Sequence, residues 1–137
     1  MNKYKVVIIG SGPSGIFTAL ELLKNDKNMK ILMLDEGRSI KTRRCPKSKT
    51  KECINCSPCN ISSGFGGAGA FSDGKLSLSK DVGGWLEDYI GEAKLVELID
   101  YVDKEYLNYG GNKEVSYNKE FAEQTEYECS KYGLKFI

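Results

Sequence analysis

Histidine is absent from the 137-residue sequence, and this absence excludes more chemistry than any other feature of the composition. Without an imidazole, the chain cannot form a Ser-His-Asp or Cys-His hydrolytic site, or a zinc site that needs histidine. Net charge is nearly absent too, because 20 Lys and Arg residues balance 19 Asp and Glu residues. The remaining +1 predicts no basic surface for nucleic acid. Catalysis within the chain would therefore have to use a cofactor, cysteines, carboxylates or lysines.

Long hydrophobic runs are also missing from the sequence. The apolar run closest to the N-terminus, Val6 to Ile9, ends at a glycine after four residues. A signal peptide needs about twice that length and a membrane-spanning helix about 20 residues, so we expect a cytoplasmic protein without a membrane partner. Cysteines stay reduced in the cytoplasm, where clustered cysteines favour a metal or redox site over structural disulfides. The length corresponds to one domain or part of one.

The first 35 residues have the pattern strand, tight turn, helix, strand. Residues 4–9 and 30–35 are apolar runs of strand length, and we expect both to be buried on both faces of a sheet. Pro13 suits the first position of a helix, which we predict over residues 13–25. Its sheet-facing stripe consists of Ile16, Ala19, Leu20 and Leu23. This order predicts the α/β class, with parallel strands joined by a right-handed, Rossmann-like βαβ connection.

The turn between the first strand and the helix is Gly10-Ser11-Gly12-Pro13-Ser14-Gly15, the G-x-G-x-x-G pattern of dinucleotide-binding proteins. In that pattern the glycines allow a tight turn, a close approach of the pyrophosphate, and close packing of helix and strand. The N-terminus of the helix favours phosphate. We therefore predict that Gly10, Gly12, Pro13, Ser14 and Gly15 bind a dinucleotide cofactor. The alternative is a glycine-rich turn without a ligand.

Two acidic residues follow the second strand. Asp35 stands 20 residues after Gly15, where a carboxylate accepts hydrogen bonds from the ribose hydroxyls of a bound dinucleotide. Glu36 is the alternative acceptor, and a solvent-facing loop position is the other interpretation of this residue. No basic residue occupies the tip of the strand, which disfavours a 2′-phosphate and hence NADP at this site.

A long segment without helical or strand periodicity extends from Gly37 to Gly84, and we expect a bound ligand to order it. Its residues 62–79 have the sequence SSGFGGAGAFSDGKLSLS, and we call residues 62–75 the glycine-rich loop. Successive amides in such loops bind anions, whereas a flexible linker, the alternative, rarely carries aromatic residues at regular intervals. The predicted cofactor contacts in this loop are Gly66, Gly67, Ala68, Gly69, Ser72, Asp73, Gly74 and Lys75.

Four cysteines lie in the same segment with the spacing C-x7-C-x2-C-x2-C, and we predict that Cys45, Cys53, Cys56 and Cys59 bind a metal centre. Three closely spaced thiolates suit an iron–sulfur cluster, and four can hold structural zinc. A thiol/disulfide redox pair and inert thiols are the alternatives. Basic residues surround the cysteines and favour thiolates. Arg43 or Arg44 could also contact the cofactor pyrophosphate, and we include Arg44 among the predicted cofactor residues.

The C-terminal part of the sequence predicts helices. Residues 84–111 are helical in pattern and place one apolar face at Leu95, Leu98, Ile99, Val102 and Tyr106. A second helix is predicted at about 118–132, followed by a strand-like run at 134–137. We therefore divide the chain into a dinucleotide-binding βαβ unit with the cysteine-rich and glycine-rich loops, residues 1–83, and a helical segment that begins a larger domain, residues 84–137.

From Gly64 to Leu76 the sequence is GFGGAGAFSDGKL, downstream of the N-terminal dinucleotide pattern. With these motifs, residues 3–80 resemble the uncharacterised FAD-dependent dehydrogenases of the glutathione-reductase-like, two-dinucleotide flavoprotein superfamily. The resemblance implies FAD as the cofactor, with Gly10, Gly12, Ser14 and Gly15 at its pyrophosphate, Asp35 at its adenosine ribose, and residues 67–75 toward the flavin. Asp35 is shorter than the glutamate that is usual in the superfamily. The cysteine cluster is not expected in all relatives, so its role does not transfer.

Flavoproteins of this superfamily are several times longer than this chain, which implies an incomplete domain that needs the remainder of a longer parent chain. We expect the N-terminal FAD-binding portion of a flavin-dependent oxidoreductase, whose flavin exchanges hydride or electrons with a small-molecule substrate or electron donor. Catalytic residues are expected downstream, so we expect the isolated chain to be inactive. The alternatives are a fragment of an NAD-binding Rossmann dehydrogenase and a non-enzymatic, cysteine-rich metal or redox module.

Overall fold

The computed structural model of the protein describes residues 3–72, 74–114 and 118–134. The chain divides into two compact units, Met1–Lys75 and Leu76–Ile137. The sequence-based division at residues 83 and 84 places the boundary later in the chain and stays a prediction. Among the described residues, no helix combines the length and the apolar character that crossing a membrane requires.

Two parallel strands and one helix form the regular part of the first unit. Strand β1 (Val6–Ile9) pairs with strand β2 (Ile31–Leu34) in a parallel register that sets Val6 opposite Ile31. Helix α1 (Pro13–Asn25) connects the strands and has a proline at its first position. The predicted order of strand, turn, helix and strand is therefore present, and the helix has the predicted ends.

Strand β1 is buried on one face only, and the residues of β2 are half-buried or exposed, which corrects the prediction that both strands are covered on both faces. Burial alternates along β1, since Ile8 is 9% exposed whereas Val7 and Ile9 are 53% and 87% exposed. Successive side chains of a strand point to opposite faces of the sheet. Helix α1 packs against β1, and within the described residues the face that carries Val7 and Ile9 is left open.

The segment between β2 and the end of the first unit has little regular structure, as predicted. Its described residues contain a four-residue helix, α2 (Lys47–Thr50), and a short 3₁₀ helix (Gly67–Phe71). The remaining described residues of the segment lie in turns, bends and irregular backbone. Most of the backbone here cannot use the repeating hydrogen bonds of a helix or a sheet, so side chains have to provide the missing partners.

The second unit is helical and contains α3 (Leu86–Ile90), α4 (Glu92–Asn108) and α5 (Lys119–Ser130). The sequence predicted one helix through the first two, but Gly91 separates them with a φ of +80°, a conformation that favours glycine and interrupts a helix. Asn118 caps α5 by accepting a hydrogen bond from the Phe121 amide at 3.0 Å. Of the strand-like run predicted at 134–137, residues 135–137 lie outside the described residues.

Apolar side chains line an open cavity of about 220 Å³ in the second unit. The lining residues are Leu76, Ser77, Leu78, Leu86, Leu95, Leu98, Ile99 and Val102, which include four of the five residues predicted to share one face of α4. The fifth, Tyr106, is 47% exposed. Lys80 joins α3 to α4, because its ammonium lies 3.4 Å from the Glu87 carboxylate and 3.1 Å from that of Glu92. Hydrogen bonding to Glu92 is the main cause of the raised pKa of Lys80.

Candidate functional site

The glycine-rich turn, residues 10–15, is hydrogen-bonded to β2 and to α1. The Gly10 amide donates to the Leu34 carbonyl at 2.7 Å, and the Gly12 carbonyl accepts from the Ile16 amide at 3.0 Å. A methyl group added at Gly15 would overlap the carbonyl oxygen of Gly10. The backbone of the helix therefore lies close to the end of β1 at Gly15, the packing role that the pattern predicts for its third glycine.

Gly12 has the opposite environment. Its φ and ψ of −73° and −176° suit any residue, and a methyl group added there would meet no described atom within 4 Å, its chain neighbours aside. The described fold therefore has room for a methyl group at the N-terminus of α1. This free space lies where the pattern predicts the approach of a pyrophosphate.

The Asp35 carboxylate accepts three hydrogen bonds, two from Ser11 in the glycine-rich turn and one from Gly37. One carboxylate oxygen accepts from the Ser11 amide at 2.8 Å and from the Ser11 hydroxyl at 2.7 Å, and the other accepts from the Gly37 amide at 2.9 Å. The bond from the Ser11 amide is the main cause that lowers the pKa of Asp35 from 3.8 to about 2. The spacing to Gly15 identifies Asp35 but contains no signal for this bond to Ser11. The contact between Asp35 and a ribose stays a prediction.

An open cleft of about 290 Å³ lies at the carboxyl ends of the two strands, the edge at which α/β sheets bind ligands. It is lined by Ser11, Met33, Asp35, Gly37, Arg38, Ser39 and Phe65. The Glu36 carboxylate accepts a hydrogen bond from the Ser63 hydroxyl at 3.0 Å and so contacts the glycine-rich loop. Its role as the alternative ribose acceptor stays a prediction.

Arg38 and Ser39 are cleft residues that the sequence patterns did not identify. The residues directly after β2 are the acidic Asp35 and Glu36, as the sequence shows, but Arg38, four residues beyond the strand, lines the same cleft as Asp35. Strand periodicity ends at Asp35, and no pattern indicates that the next residues turn along the cleft. The absence of a basic residue can therefore no longer be used as an argument against a 2′-phosphate, and hence against NADP, at this site.

Arg43 binds the backbone of the glycine-rich loop and of the residue before it. Its guanidinium donates to the carbonyl oxygens of Ser63 at 2.6 Å, Phe65 at 2.7 Å, and Ile61 and Gly67 at 3.3 Å each. The guanidinium carbon also lies 4.7 Å from the centre of the Phe71 ring. Only 3% of Arg43 is exposed. The sequence gives no signal that separates Arg43 from the other basic residues around the cysteines.

The glycine-rich loop lies against the glycine-rich turn, although the two are far apart in the sequence. The Gly66 amide donates to the Ser11 carbonyl at 2.8 Å. A methyl group added at Gly67 would lie 3.3 Å from the Cα of Gly12. The two motifs that the sequence singled out independently therefore form one surface.

The other predicted cofactor residues are exposed, except for Asp73, which lies outside the described residues. They are Pro13, Ser14, Arg44, Ala68, Gly69, Ser72, Gly74 and Lys75. The Gly74 amide donates to the Ser72 hydroxyl at 3.2 Å. Of the two adjacent arginines, the buried Arg43 is the one that contacts the glycine-rich loop. The contacts of the exposed residues with a cofactor stay predictions.

The four clustered cysteines do not form a metal site in the described part of the chain. Cys45 and Cys56 are half-buried, Cys53 and Cys59 are exposed, and all four are free thiols. No group of three or more Cys, Asp or Glu side chains among the described residues is placed to hold a metal ion. Close spacing in a sequence limits the distance between thiols but does not make them converge. The geometry therefore does not support the predicted iron–sulfur or zinc centre.

Cys59 has the environment of a reactive thiol. Hydrogen bonds from the Ser62 hydroxyl and from the Ser62 and Ile61 amides lower the pKa of its thiol from 9.0 to about 7. A thiol with this pKa is partly ionised at neutral pH, and the thiolate is the nucleophilic form. Of the non-metal alternatives considered for the cysteines, this environment favours a reactive thiol over an inert one.

Residues 4–131 match the sequence model of one protein family, described as pyridine nucleotide-disulphide oxidoreductase. An uncharacterized protein of Clostridium beijerinckii is 38% identical over 77 residues. This alignment covers 55% of the chain but 14% of the relative, so the chain corresponds to a small part of the protein that it matches. No solved structure matches the chain.

Proposed function

The chain belongs to the pyridine nucleotide-disulphide oxidoreductase family, and from this premise we propose that it is the N-terminal, FAD-binding part of a flavin-dependent oxidoreductase. The free space at Gly12 carries the proposal. A methyl group added at Gly12 would meet no described atom within 4 Å beyond its chain neighbours, so the described fold does not need a glycine there. A pyrophosphate that approaches the backbone at this point accounts for the missing side chain.

Each part of the site would hold a different part of FAD. Gly10 to Gly15 would bind the pyrophosphate, because the amides and the dipole at the N-terminus of α1 favour an anion. The cleft beside Asp35 would take the adenosine, with Asp35 or Glu36 toward its ribose. The cofactor residues from Gly66 to Lys75 would lie toward the flavin. Bound FAD would supply the capacity to accept and donate hydride or electrons.

The residues of this chain would position the cofactor, while the remainder of a longer protein would supply the substrate site. Asp35 fixes Ser11 and hence the turn, and its low pKa of about 2 keeps the carboxylate charged in any physiological solution. A ribose hydroxyl would share this carboxylate with the protein donors. The partner is a small-molecule substrate or electron donor, and the location is the cytoplasm. We do not propose electron transfer through an iron–sulfur centre, because the four cysteines form no metal-binding group among the described residues.

The affinity of a Gly12→Ala variant for FAD tests this proposal. We expect FAD binding by the full-length protein to weaken by about tenfold or more, which corresponds to ~1.4 kcal/mol. The unfolding temperature without FAD should stay unchanged, because the methyl group enters free space. Fluorescence titration with FAD and thermal unfolding measure the two quantities. Lys27→Ala, at an exposed position between α1 and β2, is the control.

Two results would contradict the proposal. Unchanged FAD affinity in Gly12→Ala would remove the phosphate-binding role of the turn. Binding of NADH by the wild-type protein without any binding of FAD would favour the NAD-dependent dehydrogenase instead.

A further inference from the structure

Arg43 is a charged side chain buried beside the proposed cofactor site. Only 3% of the residue is exposed, and its Nε atom has no hydrogen-bond partner among the described residues. Burying a charge is costly unless hydrogen bonds compensate for the lost water. Several neighbouring basic residues of the chain are exposed, so the burial of this one needs a reason.

The compensation comes from a run of backbone carbonyls. The guanidinium donates hydrogen bonds to the carbonyl oxygens of alternate residues, namely Ile61, Ser63, Phe65 and Gly67. Nη1 donates to three of them and Nη2 donates to Phe65. One side chain therefore fixes the backbone direction along the whole first half of the glycine-rich loop.

Two of these four residues border the proposed site. Phe65 lines the cleft that contains Asp35. Gly67 lies close to Gly12, since a methyl group added at Gly67 would be 3.3 Å from the Gly12 Cα. Any movement of the loop at these residues would change the space available to a ligand.

We propose that Arg43 is a positioning residue of the cofactor site. It holds residues 61–71 against the glycine-rich turn and so controls flavin binding through the loop, without contacting the cofactor itself. The effect on flavin binding rests on the proposed function, whereas the effect on the loop does not. Lysine cannot replace Arg43 in this role, because one ammonium lacks the forked donors that reach carbonyls on both sides.

Hydrogen exchange and FAD titration of Arg43 variants in the full-length protein test the proposal. In Arg43→Lys we expect faster amide exchange at residues 62–72, unchanged exchange in α1, and about tenfold weaker FAD binding. In Arg43→Ala, millimolar guanidinium chloride should restore both the exchange protection and the FAD affinity, whereas equal concentrations of sodium chloride should not. Lys41→Ala, which removes an exposed charge two residues away, is the control.

The possible results separate this inference from the proposed function. Faster exchange at residues 62–72 with no FAD binding even in the wild type would retain the loop role and reject the flavin. Normal exchange at residues 62–72 in Arg43→Lys would overturn the inference, as would a faster-exchanging loop with unchanged FAD affinity. Equal loss of protection in the loop and in α1 would also overturn it, because Arg43 would then be a general stability residue.

Discussion

The βαβ region, residues 6–34, and the segment after it, residues 35–72, belong to the same unit but are stabilised by different kinds of bonds. The first region is joined by a parallel ladder between β1 and β2 and by the repeating bonds of a 13-residue helix. The second region has two short helical elements in its described residues and depends on side-chain contacts from Asp35, Glu36 and Arg43.

The two regions should therefore differ in their sensitivity to single substitutions. In a ladder or a helix, each hydrogen bond is one of many similar bonds, so the loss of one side chain leaves the rest intact. In the second region one guanidinium makes four of the bonds, so one substitution removes them together. Substitutions in residues 35–72 should therefore act locally and strongly at a few positions.

The largest effect is expected at Gly37, where the chain leaves β2. A methyl group there would overlap the backbone of Ser63 and Gly64, which cannot rotate away as a flexible side chain could. We expect Gly37→Ala to destabilise the second region locally by about 3 kcal/mol or more. Hydrogen exchange should become faster at residues 62–72 while α1 keeps its protection.

Gly69→Ala is the control for this substitution, because its methyl group would meet no described atom within 4 Å. Denaturant unfolding gives the change in stability, and mass spectrometry of exchanged peptides locates it. Equal loss of protection in both regions of Gly37→Ala would show that they unfold together, and the comparison would fail.

A smaller effect is expected at Asp35, which joins the two regions. Its pKa is about 2 in the folded protein and 3.8 in an ordinary carboxyl group, so folding favours the ionised form. The resulting stabilisation is complete above about pH 4 and is lost as the pH falls through about 2. We therefore expect the wild type to lose more stability than Asp35→Asn when the pH falls from about 4 to 2.

Urea unfolding at each pH measures this difference. Asp100→Asn, which removes an exposed carboxylate from α4, should keep the pH dependence of the wild type. If Asp35→Asn also kept it, the bonds from Ser11 and Gly37 would contribute nothing that depends on charge.

The smallest effect on stability is expected at Ser62, whose hydroxyl bond is the largest cause of the lowered pKa of Cys59. In protein treated with a chelator, Cys59 should react with iodoacetamide faster than Cys129 at neutral pH. Its rate should rise as the pH increases through about 7, because the thiolate is the reactive form. Ser62→Ala should move this midpoint to higher pH and leave the unfolding temperature nearly unchanged.

Site-resolved mass spectrometry at several pH values measures the alkylation rates. An unchanged midpoint in Ser62→Ala would show that the hydroxyl does not stabilise the thiolate. The alkylation rate of Cys59 would then give no information on side-chain contacts in the second region.

Repeating patterns predicted the regular region closely. Pro13 and the apolar stripe predicted the helix Pro13–Asn25, and two apolar runs predicted β1 and β2 with slightly longer bounds. Such elements are predictable because their bonds join residues at fixed intervals. The break at Gly91 was missed, since a single glycine with positive φ interrupts an otherwise continuous helical pattern.

The candidate site was predictable only in part. The G-x-G-x-x-G pattern identified the glycine-rich turn and composition identified the glycine-rich loop, but neither predicted the contact between them through Ser11 and Gly66. Burial of Arg43 and the position of Arg38 in the cleft depend on how the chain turns after β2, which no local pattern contains. For the same reason, the cysteine spacing did not predict that the thiols form no metal-binding group in the described part of the chain.

Arg43 also has a consequence for the residues between it and its partners. The Ile61 carbonyl lies 3.3 Å from the Arg43 guanidinium, so residues 44–60 form a loop whose two ends are held together. The entropic cost of closing a loop grows slowly with its length, so this loop can change in length and composition with little effect on the residues at its ends. The four clustered cysteines lie within this loop. The cysteines there could therefore be replaced while the glycine-rich turn and the glycine-rich loop keep their contact with each other.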